Sequence, residues 1–238
     1  HLDDATIAID GGLRPATDTL RVGESGLATR LFTPIASLNS TPICIEGEGT
    51  LLHRPMIMMI EPLRQLGVKV RDGGGYLPIE VCGPIHGGRI EVDGSVSSQF
   101  ITGLLLALPL AEEDTDLYVR SAVSTPYLDM TIDTARRFGV EIMHHEGDYS
   151  HFYIEGGQRY APTDLAIEGD WSGAAAMLVA GAVAGEVTIK NLSTLSKQAD
   201  TAICHALERA GAGIIIERDS ITVSKRKLRA FTFDATNA

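Results

Sequence analysis

The sequence of 238 residues has few aromatic side chains, few cysteines and little positive charge. Phe, Trp and Tyr make up 5% of it, so a hydrophobic core must be built mainly from Ala, Val, Ile and Leu. The three cysteines, Cys44, Cys82 and Cys204, are widely spaced and form no CxxC pair. This disfavours a disulfide framework or a zinc site and indicates a reducing compartment, for which we expect the cytoplasm.

Basic residues are too scarce for a general nucleic-acid-binding protein. Lys and Arg number 20 against 31 Asp and Glu, a formal net charge of −11. Nucleic-acid binding needs a basic face that displaces counterions, so we expect no nucleic-acid partner. The apolar runs at residues 101–111 and 173–185 are too short to cross a bilayer, and the first residues lack the pattern of a signal peptide. We therefore expect no membrane partner either.

A repeat of about 72 residues organises the chain. Three amphipathic helices are predicted to end at Gly67, Gly139 and Gly211, separated by 139 − 67 = 72 and 211 − 139 = 72 residues. Glycine is favoured just past a helix because it enters the left-handed region without a Cβ clash. Each end is followed by two alternating runs that predict a hairpin, at residues 68–71 and 76–81, 141–144 and 151–155, and 214–217 and 221–224.

A further helix precedes each of these, between two short strands. The strands before it are predicted at residues 19–22, 89–92 and 164–167, and those after it at residues 42–45, 116–119 and 186–189. The fold class is therefore α/β, built from duplicated βαβαββ units. We expect residues 1–12 to close an earlier unit and residues 231–238 to start a further strand, as in an internal piece of a larger protein.

The stretch at residues 93–100 is the most informative for function. A strand ends there, Gly94 allows a tight turn, and Ser97 and Ser98 stand where the next helix begins. Free N–H groups and the positive end of the helix dipole attract an anion at such a position, and hydroxyls add donors. Ser97 could instead serve only as a helix cap. The residues alone leave both interpretations open.

Arg30, Arg54 and Ser124 also lie near predicted helix starts. Arg30 follows the glycine turn at residues 23–26 by one helical turn. Arg54, with the following proline, is expected to open a helix, where it could capture a carboxylate or phosphate or remain a solvated surface residue. Ser124 starts a helix in Ser-Thr-Pro-Tyr, as a cap or as a hydroxyl donor beside the Tyr127 ring.

Three other groups of polar residues are interpreted as structural. Asp129 and Asp133 lie early in a helix, where acids complement the helix dipole. His144, His145 and His151 lie on both sides of a hairpin turn, which suits an exposed sheet edge better than a metal site. Cys204 and His205 are sequential helix neighbours, which cannot face each other. We expect no metal site.

Taken together, the motifs resemble the family of 5-enolpyruvylshikimate-3-phosphate (EPSP) synthase, or 3-phosphoshikimate 1-carboxyvinyltransferase. The matching segments are residues 23–30, 53–55, 93–100, 124–129 and 168–170, so the resemblance covers essentially the whole chain. It implies a fold of six units in two domains, each like an inverse α/β barrel. Residues 1–168 would lie in a partial first domain and residues 169–238 would begin the second.

The resemblance also implies an activity and the residues that serve it. The activity is transfer of a carboxyvinyl group from phosphoenolpyruvate to the 5-hydroxyl of shikimate 3-phosphate, without cofactor, by a protein that is monomeric at full length. Gln99 would reach between the two substrates and Tyr127 would pack near the shikimate ring. The implied residues are Ser97, Ser98, Gln99, Ser124 and Tyr127 for shikimate 3-phosphate, and Gly26, Arg54 and Gln99, supported by Arg30, for phosphoenolpyruvate.

Two features depart from the family pattern. Glu24 and Leu27 stand where the family commonly has Asn and Thr. No residue of this sequence replaces the Lys and carboxylates that move protons in the family, so we expect no catalytic residue here and an inactive piece that still binds shikimate 3-phosphate. The alternatives are an enolpyruvyl transferase of the UDP-N-acetylglucosamine type, an RNA-terminal phosphate cyclase, or a non-catalytic anion-binding module.

Overall fold

In the computed structural model, which describes residues 6–234, the strands form three small sheets. The first has the order β1-β2-β4-β3, with β1 and β2 parallel and the other pairs antiparallel. Its strands are β1 (Thr19–Arg21), β2 (Ile43–Glu46), β3 (Lys69–Asp72) and β4 (Ile79–Cys82).

The other two sheets have three strands each. In the second, β5 and β6 are parallel and β7 is antiparallel to β6; in the third, β10 lies between β8 and β9 and is antiparallel to both. The strands are β5 (Gly88–Asp93), β6 (Thr115–Arg120), β7 (His151–Ile154), β8 (Glu186–Lys190), β9 (Gly213–Ile216) and β10 (Ser220–Ser224).

The helices alternate with the strands as predicted for an α/β protein. They are α1 (Gly26–Ala36), α2 (Ile57–Gln65), α3 (Ser98–Ala107), α4 (Thr125–Arg137), α5 (Trp171–Ala184) and α6 (Ile203–Ala210), with short 3₁₀ helices at Gly49–His53, Leu108–Leu110 and Ala199–Ala202. Within residues 6–234, no helix combines the length and the apolar character needed to cross a membrane.

The helix ends expected from the glycine spacing are present. Gly67, Gly139 and Gly211 follow α2, α4 and α6 with φ of +80°, +81° and +90°, values that favour glycine. The same backbone hydrogen bond closes each helix, over 3.0 Å in all three cases. These bonds run from Val68 N to Leu63 O, from Val140 N to Ala135 O, and from Ala212 N to Leu207 O.

One predicted strand, at residues 141–144, is reduced to an isolated bridge between Met143 and Tyr153. The Gln158 side chain explains the loss, because its amide bonds both backbone groups of Glu141. Glu141 N donates to Gln158 Oε1 over 2.8 Å, and Gln158 Nε2 donates to Glu141 O over 2.9 Å. A side chain thus takes the place of a strand partner.

The predicted strand at residues 164–167 is also wrong. Instead of pairing along its length, the segment is bonded through a side chain, since Asn191, just after β8, donates from Nδ2 to Ile167 O over 3.5 Å. Beyond the segment, Gly169 N donates to Asn191 O over 2.7 Å. The predicted hairpin at residues 1–12 and strand at residues 231–238 fall partly outside the described residues. Their described parts, residues 6–12 and 231–234, form no strand, because no neighbouring strand bonds to them.

Two hydrophobic clusters divide the buried side chains. The first draws on residues 36–154 and includes Phe100, Leu104 and Phe152; the second draws on residues 171–223 and is built around Trp171 and Leu178. Aliphatic residues dominate both, as the low aromatic content requires. The first cluster fixes α1, α3 and α4, which carry the predicted site.

Candidate functional site

Gly103 lets α1 and α3 approach closely enough to bring two polar side chains together. A Cβ at this position would lie 2.8 Å from the carbonyl oxygens of Arg30 and Leu31. Gln99 stands one turn before Gly103 on the same face of α3. Its Oε1 accepts a hydrogen bond of 3.0 Å from Arg30 Nη1. The amide of Gln99 is therefore oriented with its NH₂ group directed away from Arg30.

Two guanidinium groups converge on Gly26, at the start of α1. A Cβ on Gly26 would lie 3.2 Å from Arg30 Nη1 and 3.4 Å from Arg54 Nη1. Burial and the charge of Arg54 lower the pKa of the half-buried Arg30, and Arg30 Nε is buried with no hydrogen-bond partner. An anion bound here would neutralise the repulsion between the two guanidinium groups and could accept from the unpaired Nε–H of Arg30, so the arrangement favours anion binding.

The prediction that Arg54 opens a helix is wrong. It follows the 3₁₀ helix Gly49–His53 with extended backbone angles (φ −87°, ψ 126°), and α2 begins at Ile57. The physical reason is Pro55, which disfavours helical angles for the residue before it. Arg54 therefore lies at the carboxyl end of a helical segment, where a cation is favoured rather than opposed.

Ser97 and Ser98 begin α3 as predicted. Ser97 caps the helix, because its Oγ accepts from Gln99 N over 3.2 Å, and its hydroxyl hydrogen is left to donate elsewhere. Ser98 is buried, with 6% of its surface exposed. The cap and the anion-binding interpretation are thus compatible for Ser97.

Ser124 precedes α4 with its hydroxyl free of a capping role. Its backbone is left-handed (φ +53°), which costs a non-glycine residue of the order of 1 kcal/mol, and its side chain makes no cap bond. Thr102 of α3 and Thr131 of α4 are joined over 3.2 Å between their Oγ1 atoms. Thr102 lies about one turn beyond Ser98 and Thr131 about one turn beyond Tyr127, so this contact holds the turns of Ser98 and Tyr127 near each other.

Tyr127 joins this region to the 3₁₀ helix Ala199–Ala202. Its hydroxyl donates to Asp200 Oδ2 over 3.2 Å. Partial burial and the negative charge of Asp200 raise the pKa of Tyr127. Asp200 was not among the predicted residues, and a contact across 73 positions leaves no local signal in the sequence.

Glu24, the departure from the family pattern, faces Thr50. Its Oε2 accepts from Thr50 N and from Thr50 Oγ1, both over 3.0 Å. Leu27, the second departure, is 52% exposed on the first turn of α1. The partner of Glu24 lies 26 residues away, and nothing in the sequence pattern predicts the contact.

The groups interpreted as structural do have structural partners. Tyr149 Oη donates to Asp129 over 2.8 Å, Lys197 Nζ pairs with Asp133 over 2.8 Å, and His151 Nε2 lies 2.8 Å from Asp116 Oδ1. Burial raises the pKa of the Cys204 thiol, which disfavours a nucleophile. Among residues 6–234, no group of three or more His, Cys, Asp or Glu side chains could hold a metal ion.

A separate pocket contains none of the predicted site residues. It lies between residues 12–17 and α1 and has a largely apolar lining that includes Leu13, Phe32 and Ile43. The candidate site is therefore defined by the convergence of the Arg30, Arg54 and Gln99 side chains and not by this pocket.

Comparisons with known proteins bear on the family and the fold of the chain. The sequence family described as EPSP synthase (3-phosphoshikimate 1-carboxyvinyltransferase) matches residues 3–238. Curated relatives named 3-phosphoshikimate 1-carboxyvinyltransferase include that of Methanocorpusculum labreanum, 34% identical over 99% of this chain and 56% of the relative. Those of Clostridium novyi and Salmonella schwarzengrund are 36% and 38% identical, over 92% and 94% of this chain and 50% and 53% of the relatives.

The fold has a counterpart among solved structures. EPSP synthase from Acinetobacter baumannii superposes with a TM-score of 0.69 at 24% identity, over 89% of this chain and 48% of that one. At this identity the superposition establishes the α/β fold alone. The chain spans about half the length of the curated relatives it matches.

Proposed function

Because the chain belongs to the EPSP synthase family, we propose that it binds the substrates of a carboxyvinyl transfer. The group moves from phosphoenolpyruvate to the 5-hydroxyl of shikimate 3-phosphate, and phosphate is released. Both substrates carry several negative charges, so their binding depends on concentrated donors and cations.

The convergence of Arg30 and Arg54 on Gly26 is the observation that carries the proposal. Two guanidinium groups lie within reach of one backbone position, and each offers a planar set of N–H donors suited to a phosphate or carboxylate. A side chain at Gly26 would crowd both guanidinium groups, and we place the anion where they converge. Gln99, oriented by Arg30, directs its NH₂ group away from Arg30, where we place the second substrate.

The start of α3 is the proposed site for the phosphate of shikimate 3-phosphate. Ser97 and Ser98 add hydroxyls to the free N–H groups of the first turn. Ser124 contributes a further hydroxyl that caps no helix, and the Tyr127 ring covers the shikimate. We assign these groups to substrate binding, because the serine hydroxyls donate hydrogen bonds to the phosphate and the Tyr127 ring packs on the shikimate. None of them is proposed to accept a proton during the reaction.

Four further expectations belong to the same proposal. This chain alone binds without turnover, because none of its residues replaces the Lys and carboxylates that move protons in the family. Residue 168 ends the first domain and residue 169 begins the second, a division supported by the two hydrophobic clusters. The protein acts in the cytoplasm, supported by three free cysteines, and its full-length form is a monomer that binds no nucleic acid or membrane.

Calorimetric titration with shikimate 3-phosphate tests the proposal. We expect weak, salt-sensitive binding by the unmodified chain and loss of binding in the Ser97→Ala, Ser98→Ala double variant. A hydrogen bond to a charged group contributes about 1.5–3 kcal/mol, so losing two is measurable. Ser150→Ala, an exposed serine before β7, is the matched control and should leave binding unchanged.

Two outcomes would contradict the proposal. Equal affinity in the double variant would remove the phosphate site from the start of α3. Binding of a UDP-sugar in place of shikimate 3-phosphate would favour the UDP-N-acetylglucosamine type of transferase.

A further inference from the structure

Glu24 connects the two segments that carry the paired arginine site. Its carboxylate accepts from Thr50 N and Thr50 Oγ1, both over 3.0 Å. Gly49 has φ +58°, and a Cβ there would collide with this carboxylate, so the close approach requires glycine. A second link runs from Glu48 N to Gly23 O over 2.9 Å. The glycine turn is thereby fixed against the segment that leads to Arg54.

The Glu24 carboxylate takes the place of a helix cap. The 3₁₀ helix Gly49–His53 begins after Glu48, whose side chain makes no cap bond. Thr50 N is one of the free donors at the start of this helix, and Glu24 satisfies it from another part of the chain. Arg54 follows the helix directly, and its N–H donates to Leu51 O over 3.0 Å. Loosening the helix start would therefore let Arg54 move.

Glu24 also brings a negative charge to the arginine pair. The amide and then the hydroxyl of Thr50 lower the pKa of Glu24, and the charge of Arg54 lowers it further. The carboxylate is thus ionised at neutral pH within electrostatic reach of Arg54. The Glu24 carboxylate therefore offsets part of the positive charge that the two guanidinium groups present to an incoming anion.

We propose that Glu24 is a positioning residue for Arg54 and the counter-charge that limits how tightly the arginine pair holds an anion. The inference rests on the proposed function and specifies its electrostatics. Both roles arise from one side chain, but amide and alanine substitutions separate them. Gln keeps an oxygen that accepts from Thr50 and loses the charge, whereas Ala loses both.

Titration with phosphoenolpyruvate at several salt concentrations tests this inference. We expect Glu24→Gln to bind roughly three- to tenfold more tightly than the unmodified chain at low salt, with a steeper loss of affinity as salt rises. Glu24→Ala should bind at least threefold more weakly than Glu24→Gln, because Arg54 is no longer held. Thr50→Val, which keeps the charge and loses the hydroxyl bond, should bind more weakly than the unmodified chain.

The controls separate failure of the inference from failure of the proposed function. Glu155→Gln makes the same change in net charge at the exposed end of β7 and should leave both affinity and salt dependence unchanged. If the unmodified chain binds no phosphoenolpyruvate, the proposed function fails. If it binds, the inference is overturned when Glu24→Gln gains no affinity or when Glu24→Ala binds as tightly as Glu24→Gln.

Discussion

Tyr127 of α4 donates its hydroxyl hydrogen over 3.2 Å to Asp200 Oδ2, in the 3₁₀ helix Ala199–Ala202 that precedes α6. A second link, the ion pair of Lys197 with Asp133 over 2.8 Å, joins the loop just before that 3₁₀ helix to a position nearly two turns further along α4. Two polar links thus attach the segment before α6 to the helix that bears a proposed substrate-binding ring. The position of that ring therefore depends on residues about 70 positions further along the chain.

The link predicts a change in the titration of Tyr127. Burial and the charge of Asp200 raise the pKa of Tyr127, so Asp200→Asn should move it back towards the ordinary value of about 10. Ultraviolet difference titration measures the shift, with Tyr127→Phe identifying the contribution of this ring. Asp219→Asn, an exposed acid beside β10, is the control. An unchanged titration in Asp200→Asn would mean that the two side chains do not interact.

Gly103 is predicted to be intolerant of even a methyl group. An alanine Cβ would lie 2.8 Å from two backbone oxygens of α1, which cannot rotate away as a side chain would. Gly103→Ala should therefore lower the free energy of unfolding by about 1–3 kcal/mol, as overpacking does in other cores. Denaturant unfolding measures the effect. Gly11→Ala, where the new methyl meets no atom within 4 Å, should leave stability nearly unchanged.

The regular parts of the fold could be predicted because their signals are local. The glycines 72 residues apart place the ends of α2, α4 and α6, and each adopts the left-handed angles that make glycine the favoured residue. Local signals could not show that the strand predicted at residues 141–144 is absent. Its backbone is bonded by the Gln158 side chain, and alternation of apolar residues carries no information about that partner.

The candidate site was predictable in its residues but not in its connections. Gly26 and Arg30 follow a recognisable glycine turn, yet the approach of Arg54 to Gly26 depends on contacts such as that of Glu24 with Thr50, 26 positions away. The hydrogen bond from Arg30 to Gln99 spans 69 positions. Contacts of this kind arise from tertiary packing, so the sequence gives the groups and leaves their mutual geometry undetermined.

Gly26→Ala should separate binding from stability. The new methyl would lie 3.2 Å from Arg30 Nη1 and 3.4 Å from Arg54 Nη1, in the space assigned to the anion. Alanine is favoured over glycine in a helix, so stability should not fall. We expect about a tenfold loss of affinity for phosphoenolpyruvate, equivalent to about 1.4 kcal/mol, with an unchanged or higher melting temperature.

Paired calorimetric and thermal measurements on the same protein check the Gly26→Ala prediction. Gly11→Ala is again the matched control, because its methyl enters open space. Equal affinity in Gly26→Ala and the unmodified chain would place the anion elsewhere. A drop in melting temperature would instead show that the guanidinium groups cannot give way to the methyl.

Asp114 is expected to make stability depend on pH in the acid range. It accepts from Gly156 N over 3.0 Å and from Tyr153 Oη over 2.7 Å, and these two bonds lower its pKa in the folded chain. Because the pKa of Asp114 is lower in the folded than in the unfolded chain, its ionised form stabilises the fold at pH values above the unfolded-state pKa of about 3.9. This contribution is lost as the pH falls through the folded-state pKa. Stability should therefore decline from about pH 4 downwards.

Asp114→Asn isolates this contribution, because asparagine keeps the size of the side chain and does not ionise. The variant should melt below the unmodified chain at pH 7, and the difference should shrink as the pH falls below about 4, since protonation removes the same interaction from the unmodified chain. Asp164→Asn, an exposed acid in the segment before α5, is the control. A difference in melting temperature that stays constant from pH 7 to pH 3 would show that the Asp114 bonds do not depend on its charge.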